Sequence, residues 1–324
     1  MFKWKKLGQV FDLTKLSTFD WMQEQAQNPY VVDMNGFLRV YFNCRAKRDK
    51  EGKSTSFAGF VDLDRNNFFN ILKISSKPIL QLGSKGSFDE FGVMAGVVLP
   101  VEDEYYLYYC GWTRMVSVPY NWAIGLAKSS DGGVTFTRFG KGPIIGATNN
   151  EPFLHAGSSS IIKINDVFHL WYTSGIKWVE TETKSKSESV YQIMHATSND
   201  GINWNREGIP IIEAVLEDEA QASPSIISIN SRWHMVFSYR YSVNFRNKAR
   251  GYRVGYAWSD DLKIWHRNDS IINFDISESG WDSEMICYPH ICKIDDKIYL
   301  FYCGNDFGRE GFGIAELVSH NDER

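Results

Sequence analysis

The segment SSIIKINDVFHLWYTSG, residues 159–175, consists of an apolar strand, a short polar turn at Asn165-Asp166 and an aromatic strand. The same order returns in NPYVVDMNGFLRVYFNCR (28–45), AGVVLPVEDEYYLYYCGW (95–112), PSIISINSRWHMVFSYR (224–240) and PHICKIDDKIYLFYCGN (289–305). Alternation such as Tyr106 and Tyr108 against Leu107 and Tyr109 has the period of two expected of strands packed on both faces. The copies start roughly 65 residues apart, a spacing that points to a propeller-like array.

A third strand follows each pair, as FAGFVDLD (57–64), AIGLAKS (123–129), QIMHATS (192–198), RVGYAWS (253–259) and GFGIAEL (311–317). Three further segments share a Ser, an Asp, an aromatic residue and a basic residue: SSDGGVTFTRFGKGPII (129–145), SNDGINWNREGIPII (198–212) and SDDLKIWHRNDSIINF (259–274). Asp bonds nearby backbone and Gly accepts positive φ, so these read as a turn leading into a fourth strand. The fifth unit stops at Leu317 without a fourth strand, whereas the N-terminal FKWKKLGQVF (2–11) has the matching pattern. The expected fold is all-β: a five-bladed β-propeller of four-stranded blades over residues 1–324, one domain, in which strand 2–11 completes the blade formed by about 284–317 and removes free sheet edges.

Composition narrows the function. Of 324 residues, 43% are hydrophobic and 15% aromatic, enough for a large core. The 35 Lys and Arg against 39 Asp and Glu give −4, without the basic excess of a nucleic-acid binder. No apolar window approaches a membrane span or a secretory signal, so a cytoplasmic location is expected. Cys44, Cys110, Cys287, Cys292 and Cys303 are scattered without metal or redox spacing, and no cofactor or metal is expected.

Aligning the copies on Pro29, Ala95, Ser159, Pro224 and Pro289 puts Glu24, Glu90, Leu154, Glu219 and Glu284 five residues upstream, with Asp89, Asp218 and Asp282 nearby. A propeller gathers such positions at one funnel. Glu90, Glu219 and Glu284, with Asp89, are therefore the candidate acid and base groups, since glycosyl transfer needs one group to protonate the leaving oxygen and another to assist attack. After the second strands come Arg45, Trp112 with Arg114, Lys177 with Trp178, Arg240 and Asp306. Trp stacks on sugar rings and guanidinium grips carboxylate or phosphate, so these residues are candidates for binding the substrate, together with Asn28, His155 and His290. The polar segment 175–191 is a candidate lid.

Over residues 2–317 the chain resembles the five-bladed β-propeller carbohydrate-active enzymes, the group of arabinanases, invertases, levansucrases and mannoside phosphorylases. The resemblance rests on the SxDGxxF/W turns, on IIKINDVFHLWYTSG and on FDEFGV before the second blade. It implies a carbohydrate-active enzyme, glycoside hydrolase-like, acting on a carbohydrate or sugar phosphate. The residues depart from the family at its usual catalytic positions: Asn28 precedes Pro29 where the hydrolases have Asp, and Ala222 stands two residues before Pro224 where they have Glu. The phosphorylases' acidic-Pro-Arg signature is also missing. A glycan- or protein-binding propeller without catalysis, and a glycosyltransferase or phosphorylase of surface-polysaccharide metabolism, are the alternatives.

Overall fold

The computed structural model describes residues 1–16, 19–181 and 187–320. Strand β1 (Phe2–Asp12) precedes four sheets that each follow chain order. The first comprises β2 (Glu24–Asp33), β3 (Phe37–Arg45), β4 (Ser56–Asp64) and β5 (Ile71–Ile74), and the second β6 (Val93–Val101), β7 (Glu104–Arg114), β8 (Tyr120–Ser129) and β9 (Thr137–Arg138). The third holds β10 (His155–Ile164), β11 (Val167–Glu180), β12 (Ser187–Ser198) and β13 (Asn205–Arg206). In the fourth are β14 (Glu219–Ile229), β15 (Arg232–Tyr241), β16 (Arg253–Ser259) and β17 (His266–Arg267). The last blade pairs β18 (Cys287–Ile294), β19 (Lys297–Cys303) and β20 (Gly311–His320) with β1 from the other end of the chain.

The innermost strands β2, β6, β10, β14 and β18 touch in a closed circle, so the sheets form a five-bladed β-propeller. Closure is strongest where the chain ends meet: β1 runs from Phe2 to Asp12 beside β20, whereas β9, β13 and β17 are two-residue strands. The core divides into one principal apolar cluster per blade interface. Phe11, Phe42 and Phe312 join the last blade to the first, and Tyr108, Leu126 and Tyr172 lie between the second and third. Phe2, Tyr256 and Tyr302 sit between the fourth and fifth. Most of the aromatic residues in second strands are consumed by these interfaces.

The repeated Ser-x-Asp turn has one physical cause in all three copies. Ser198 Oγ accepts the Gly201 N–H at 2.9 Å, while Asp200 Oδ1 accepts the N–H groups of Ile202 and Asn203 at 2.8 Å. The Asn203 N–H groups hold the Asp200 carboxyl well below the usual carboxylate range. The turn needs φ near +70°, met by Gly201 at 71° but by Leu262 at 64° in the third copy, an uncommon conformation for a branched side chain. Cys44, Cys110, Cys287 and Cys303 are buried and Cys292 partly so, all as free thiols. Among the described residues no helix is long and apolar enough to cross a membrane.

Candidate functional site

Each innermost strand carries a break in register near its entry, between Gln27 and Tyr30, Ala95 and Val97, Ala156 and Ser160, Ala222 and Ser225, and Cys287 and His290. Such bulges turn side chains away from the ladder. In three blades the bulged residue precedes proline and is left-handed: Asn28 at φ 51°, Ser223 at 52° and Tyr288 at 54°. That conformation is strained for non-glycine residues, and strain of this kind clusters where function holds it in place. Asn28, Ser223 and Tyr288 face a cleft on the propeller axis, together with Tyr30, Gly96, Ser225 and His290. The cleft is narrow, with room inside for about one water molecule below its open mouth. Asn28 Oδ1, Ser223 Oγ and the nearby Gln25 Oε1 are buried without a hydrogen-bond partner among the described residues. Buried polar atoms are normally paired, so these are places for a ligand or water.

A run of aromatic rings connects the second blade to the fifth. Trp112 lies 5.0 Å from Tyr120, Tyr120 stacks on Trp122 at 4.9 Å, and Trp122 reaches Tyr191 at 5.9 Å. Tyr191 and Tyr252 share a hydroxyl–hydroxyl hydrogen bond, and Tyr252 lies 5.4 Å from Tyr288. Two guanidinium groups are set into this run. Arg240, 3% exposed, sits 3.6 Å over the Phe245 ring and donates to Tyr191 Oη at 3.0 Å and to the Tyr241 carbonyl at 2.8 Å, while its Nε has no partner. Burial works against its charge, but the Tyr191 and Tyr252 phenols hold it above the ordinary arginine value. Arg45 lies 5.8 Å from the Trp112 ring, and burial lowers its pKa. Among the described residues neither Arg45 nor Arg240 forms an ion pair with a carboxylate; Glu24, opposite Arg45 in the sheet, is drawn to Arg48 at 3.6 Å.

The acidic residues upstream of the innermost strands are placed differently from the funnel position expected of them. Asp89, 1% exposed, pairs with Arg138 at 2.6 Å and accepts from Tyr109 Oη at 2.9 Å. Glu219, 1% exposed, pairs with Arg267 at 2.6 Å and accepts the Val215 and Leu216 N–H groups. Asp282 repeats the arrangement with Lys6 at 2.7 Å and Tyr302 at 2.9 Å, and Glu151 with Tyr172 at 2.7 Å and Arg206 at 3.5 Å. In four blades, therefore, a buried carboxylate before or at the start of the first strand binds a cation carried by the fourth, and in three of them also a second-strand tyrosine. Of the glutamates aligned five residues upstream, only Glu219 belongs to this clasp between inner and outer strands; Asp89, Glu151 and Asp282 join it from other offsets. Glu90 accepts the Gly86 N–H at 2.8 Å, and Glu284 is exposed, so neither lines the cleft.

The expected binding residues divide as well. Arg114 pairs with Asp49 at 3.1 Å and lies over Phe91, and Lys177 pairs with Asp218 at 2.6 Å. His155 is buried with Nε2 3.5 Å from Glu151. Trp178 meets the aromatic run through Tyr120, 5.4 Å away. Asp306 is exposed, 3.9 Å from Arg309. His290 does line the cleft, its ring 4.5 Å from Tyr30. Of segment 175–191, residues 182–186 lie outside the described residues. Among the described residues no group of three His, Cys, Asp or Glu is placed to hold a metal ion.

Sequence reasoning missed Ser223, Tyr288, Trp122, Tyr191 and Tyr252. The Ser-Pro and Tyr-Pro pairs at 223–224 and 288–289, parallel to Asn28-Pro29, carried a signal for the first two. Trp122 and Tyr191 lie in third strands and Tyr252 just before one, in separate blades, and they have no shared motif.

The clasp makes a prediction. Glu219→Gln removes the charge facing Arg267 and is expected to lower stability by about 1–3 kcal/mol, the typical effect of leaving a buried polar group poorly paired. Chemical denaturation measures it; unchanged stability would contradict the clasp.

No family model matches the chain. Uncharacterized protein Rv1502 of Mycobacterium tuberculosis (strain ATCC 25618 / H37Rv) is 30% identical over 318 residues, covering 97% of this chain and 99% of the relative. Beta-1,2-mannobiose phosphorylase of Thermoanaerobacter sp. (strain X514) is 27% identical over 150 residues, 45% of this chain and 46% of that protein. Among solved structures, one described as a glycoside hydrolase superposes with a TM-score of 0.72 at 15% identity, covering 98% of this chain and 94% of the other. That likeness is one of fold.

Proposed function

Because the chain belongs to the family of Uncharacterized protein Rv1502 of Mycobacterium tuberculosis, and its funnel is built of aromatic rings with two carboxylate-free guanidinium groups, we propose that it is a carbohydrate-active enzyme that cleaves or transfers a glycosyl unit of an anionic or phosphorylated sugar. The observation that carries this is the pair Arg45 and Arg240. Arg240 is buried and Arg45 half-buried, neither in an ion pair with a carboxylate among the described residues, and an anionic ligand would supply that partner. Arg240 adds a free Nε–H to that argument. The sugar ring would rest against Asn28, Ser223 and Tyr288, whose strained positions point polar groups at the axis, while Trp112 and Trp122 offer stacking faces. Similarity to a phosphorylase of β-mannosides supports glycosyl chemistry. The closed blade order supports one propeller unit, and five free thiols support a reducing, cytoplasmic setting.

The second reading, a glycan-binding propeller without catalysis, is favoured by the locking of Asp89 and Glu219 into ion pairs. One experiment separates the two. The purified chain is incubated with disaccharides carrying a 6-phosphate or a uronic acid, with and without inorganic phosphate, and the products are followed by mass spectrometry. Release of a monosaccharide or of a sugar 1-phosphate is the expected result. Binding without turnover supports the second reading, and binding of neutral oligosaccharides alone rejects an anionic substrate.

A further inference from the structure

Arg240 offers an anion a charged donor, yet its Nε is sealed from solvent while having no partner among the described residues. The seal comes from two loops of neighbouring blades. Phe245, between β15 and β16, is buried with its ring centroid 3.6 Å from the guanidinium carbon. Phe307, between β19 and β20, is only half-buried and forms the outer layer, its ring edge-on to Phe245 at 5.8 Å and to Tyr252 at 6.0 Å. Tyr191 and Tyr252 enclose the guanidinium further, with ring centroids 5.3 and 5.2 Å from its carbon. An anion reaches Nε only when one of these rings moves.

The loop that carries Phe307 is strained. Asp306 at φ 49°, Phe307 at 61° and Gly308 at 80° are left-handed in succession, a conformation that residues with side chains adopt singly and at a cost. The ends of this turn are fixed. Asn305 donates its N–H to the Trp281 carbonyl at 2.7 Å, its side-chain oxygen accepts from the Glu284 and Met285 N–H groups, and the Gly308 N–H bonds the Gly304 carbonyl at 3.2 Å. A Cβ at position 308 would stand 2.8 Å from the Ala26 carbonyl oxygen, so glycine is needed there. The tip is held by a longer bond, from Gln25 Nε2 to the Asp306 carbonyl at 3.4 Å, and by the packing of the Phe307 ring.

Resting on the anionic-substrate reading above, we propose that Phe307 is a gate over the Arg240 site: turn 305–308 holds it against Phe245 and Tyr252 in the free chain and releases it for the substrate's anionic group to reach Nε. Strain at Asp306 and Phe307 lowers the cost of opening, and the charge-assisted bond from Nε to the anion holds the open form.

The test is stopped-flow tryptophan fluorescence with glucose 6-phosphate and mannose 6-phosphate, Trp122 lying beside the site with its ring 5.9 Å from Tyr191. When a gate must open first, the observed rate in the wild-type chain reaches a ceiling as ligand concentration rises. Phe307→Ala removes the gate and is expected to raise that ceiling, and to tighten apparent binding, by at least about tenfold, because the open form no longer has to be selected. A rate that stays linear in concentration, or a ceiling that Phe307→Ala leaves unchanged, overturns the gate while leaving the anionic-substrate reading intact. Calorimetry that finds no binding to either chain rejects that reading, and the gate with it. Should Phe307→Ala fail to fold, phenylglyoxal modification of the wild-type chain answers the same question, with modified arginines located by peptide mass spectrometry. Arg240 is expected to react slowly in the folded chain and to be protected by the hexose 6-phosphates; an Arg240 inert until the chain unfolds overturns the proposal.

Discussion

Arg240→Met is expected to weaken binding of hexose 6-phosphates by about 2–5 kcal/mol, or roughly 30- to 4,000-fold, while leaving the propeller as stable as before or more so. The two effects have opposite signs because the same charge causes both. Arg240 is enclosed by Phe245, Tyr191 and Tyr252 and has no carboxylate partner among the described residues, so ring faces and hydrogen bonds, not an ion pair, offset the desolvation of its charge. Methionine fills similar space without that penalty and adapts to an irregular aromatic pocket. An anionic ligand, however, loses its enclosed counter-charge. Titration calorimetry with glucose 6-phosphate and mannose 6-phosphate, run beside chemical denaturation, reads both quantities. Lost stability with unchanged affinity would make Arg240 a structural residue and remove the anionic ligand from the proposal.

Removal of residues 1–12 is expected to abolish the folded ring. Strand β1 supplies the outer edge of the last blade along Phe2–Asp12, and Lys6 closes the Asp282 clasp from within it. Phe2 and Phe11 are 1% and 0% exposed and pack into two different blade interfaces, those of the fifth blade with the fourth and with the first. A graded version is Phe11→Ala, which deletes a ring 4.9 Å from Phe42 and 5.3 Å from Phe312 and should lower stability by about 3–5 kcal/mol. A truncated chain that stays monomeric with an unchanged near-ultraviolet circular dichroism spectrum and melting temperature would show that the ring closes without β1. The corresponding outer strands of the second to fourth blades are two residues long, so their loss should matter less.

Much of this architecture was legible before any coordinates. Strand periodicity, Ser-x-Asp turns and the pattern of residues 2–11 are local or repeated signals, and each corresponds to a strand or turn in the structure. The site was legible only in part. The rule of a cation at the end of a second strand selected Arg45 and Arg240, which form no ion pair with a carboxylate among the described residues, and equally Arg114 and Lys177, which Asp49 and Asp218 neutralise. Nothing in a sequence says which cation has a carboxylate within reach, because that carboxylate comes from elsewhere in the chain. The aligned acidic residues taught another lesson: only Glu219 of the aligned glutamates entered a buried ion pair, with Arg267, while the carboxylates that bond Arg138, Arg206 and Lys6 are Asp89, Glu151 and Asp282, at different offsets.

The amino-acid order alone therefore determined five repeats, the pairing of both chain ends in one blade and the aromatic filling between blades, since each follows from periodicity and turn chemistry acting over a few residues. Tertiary structure alone decided which polar groups are left over at the axis. Asn28, Ser223 and Tyr288 converge because strand entries meet there, and among the described residues Arg45 and Arg240 form no ion pair with a carboxylate, Glu24 being drawn instead to Arg48. Such pairing is settled by distances of a few ångströms between residues far apart in sequence, which no local pattern encodes.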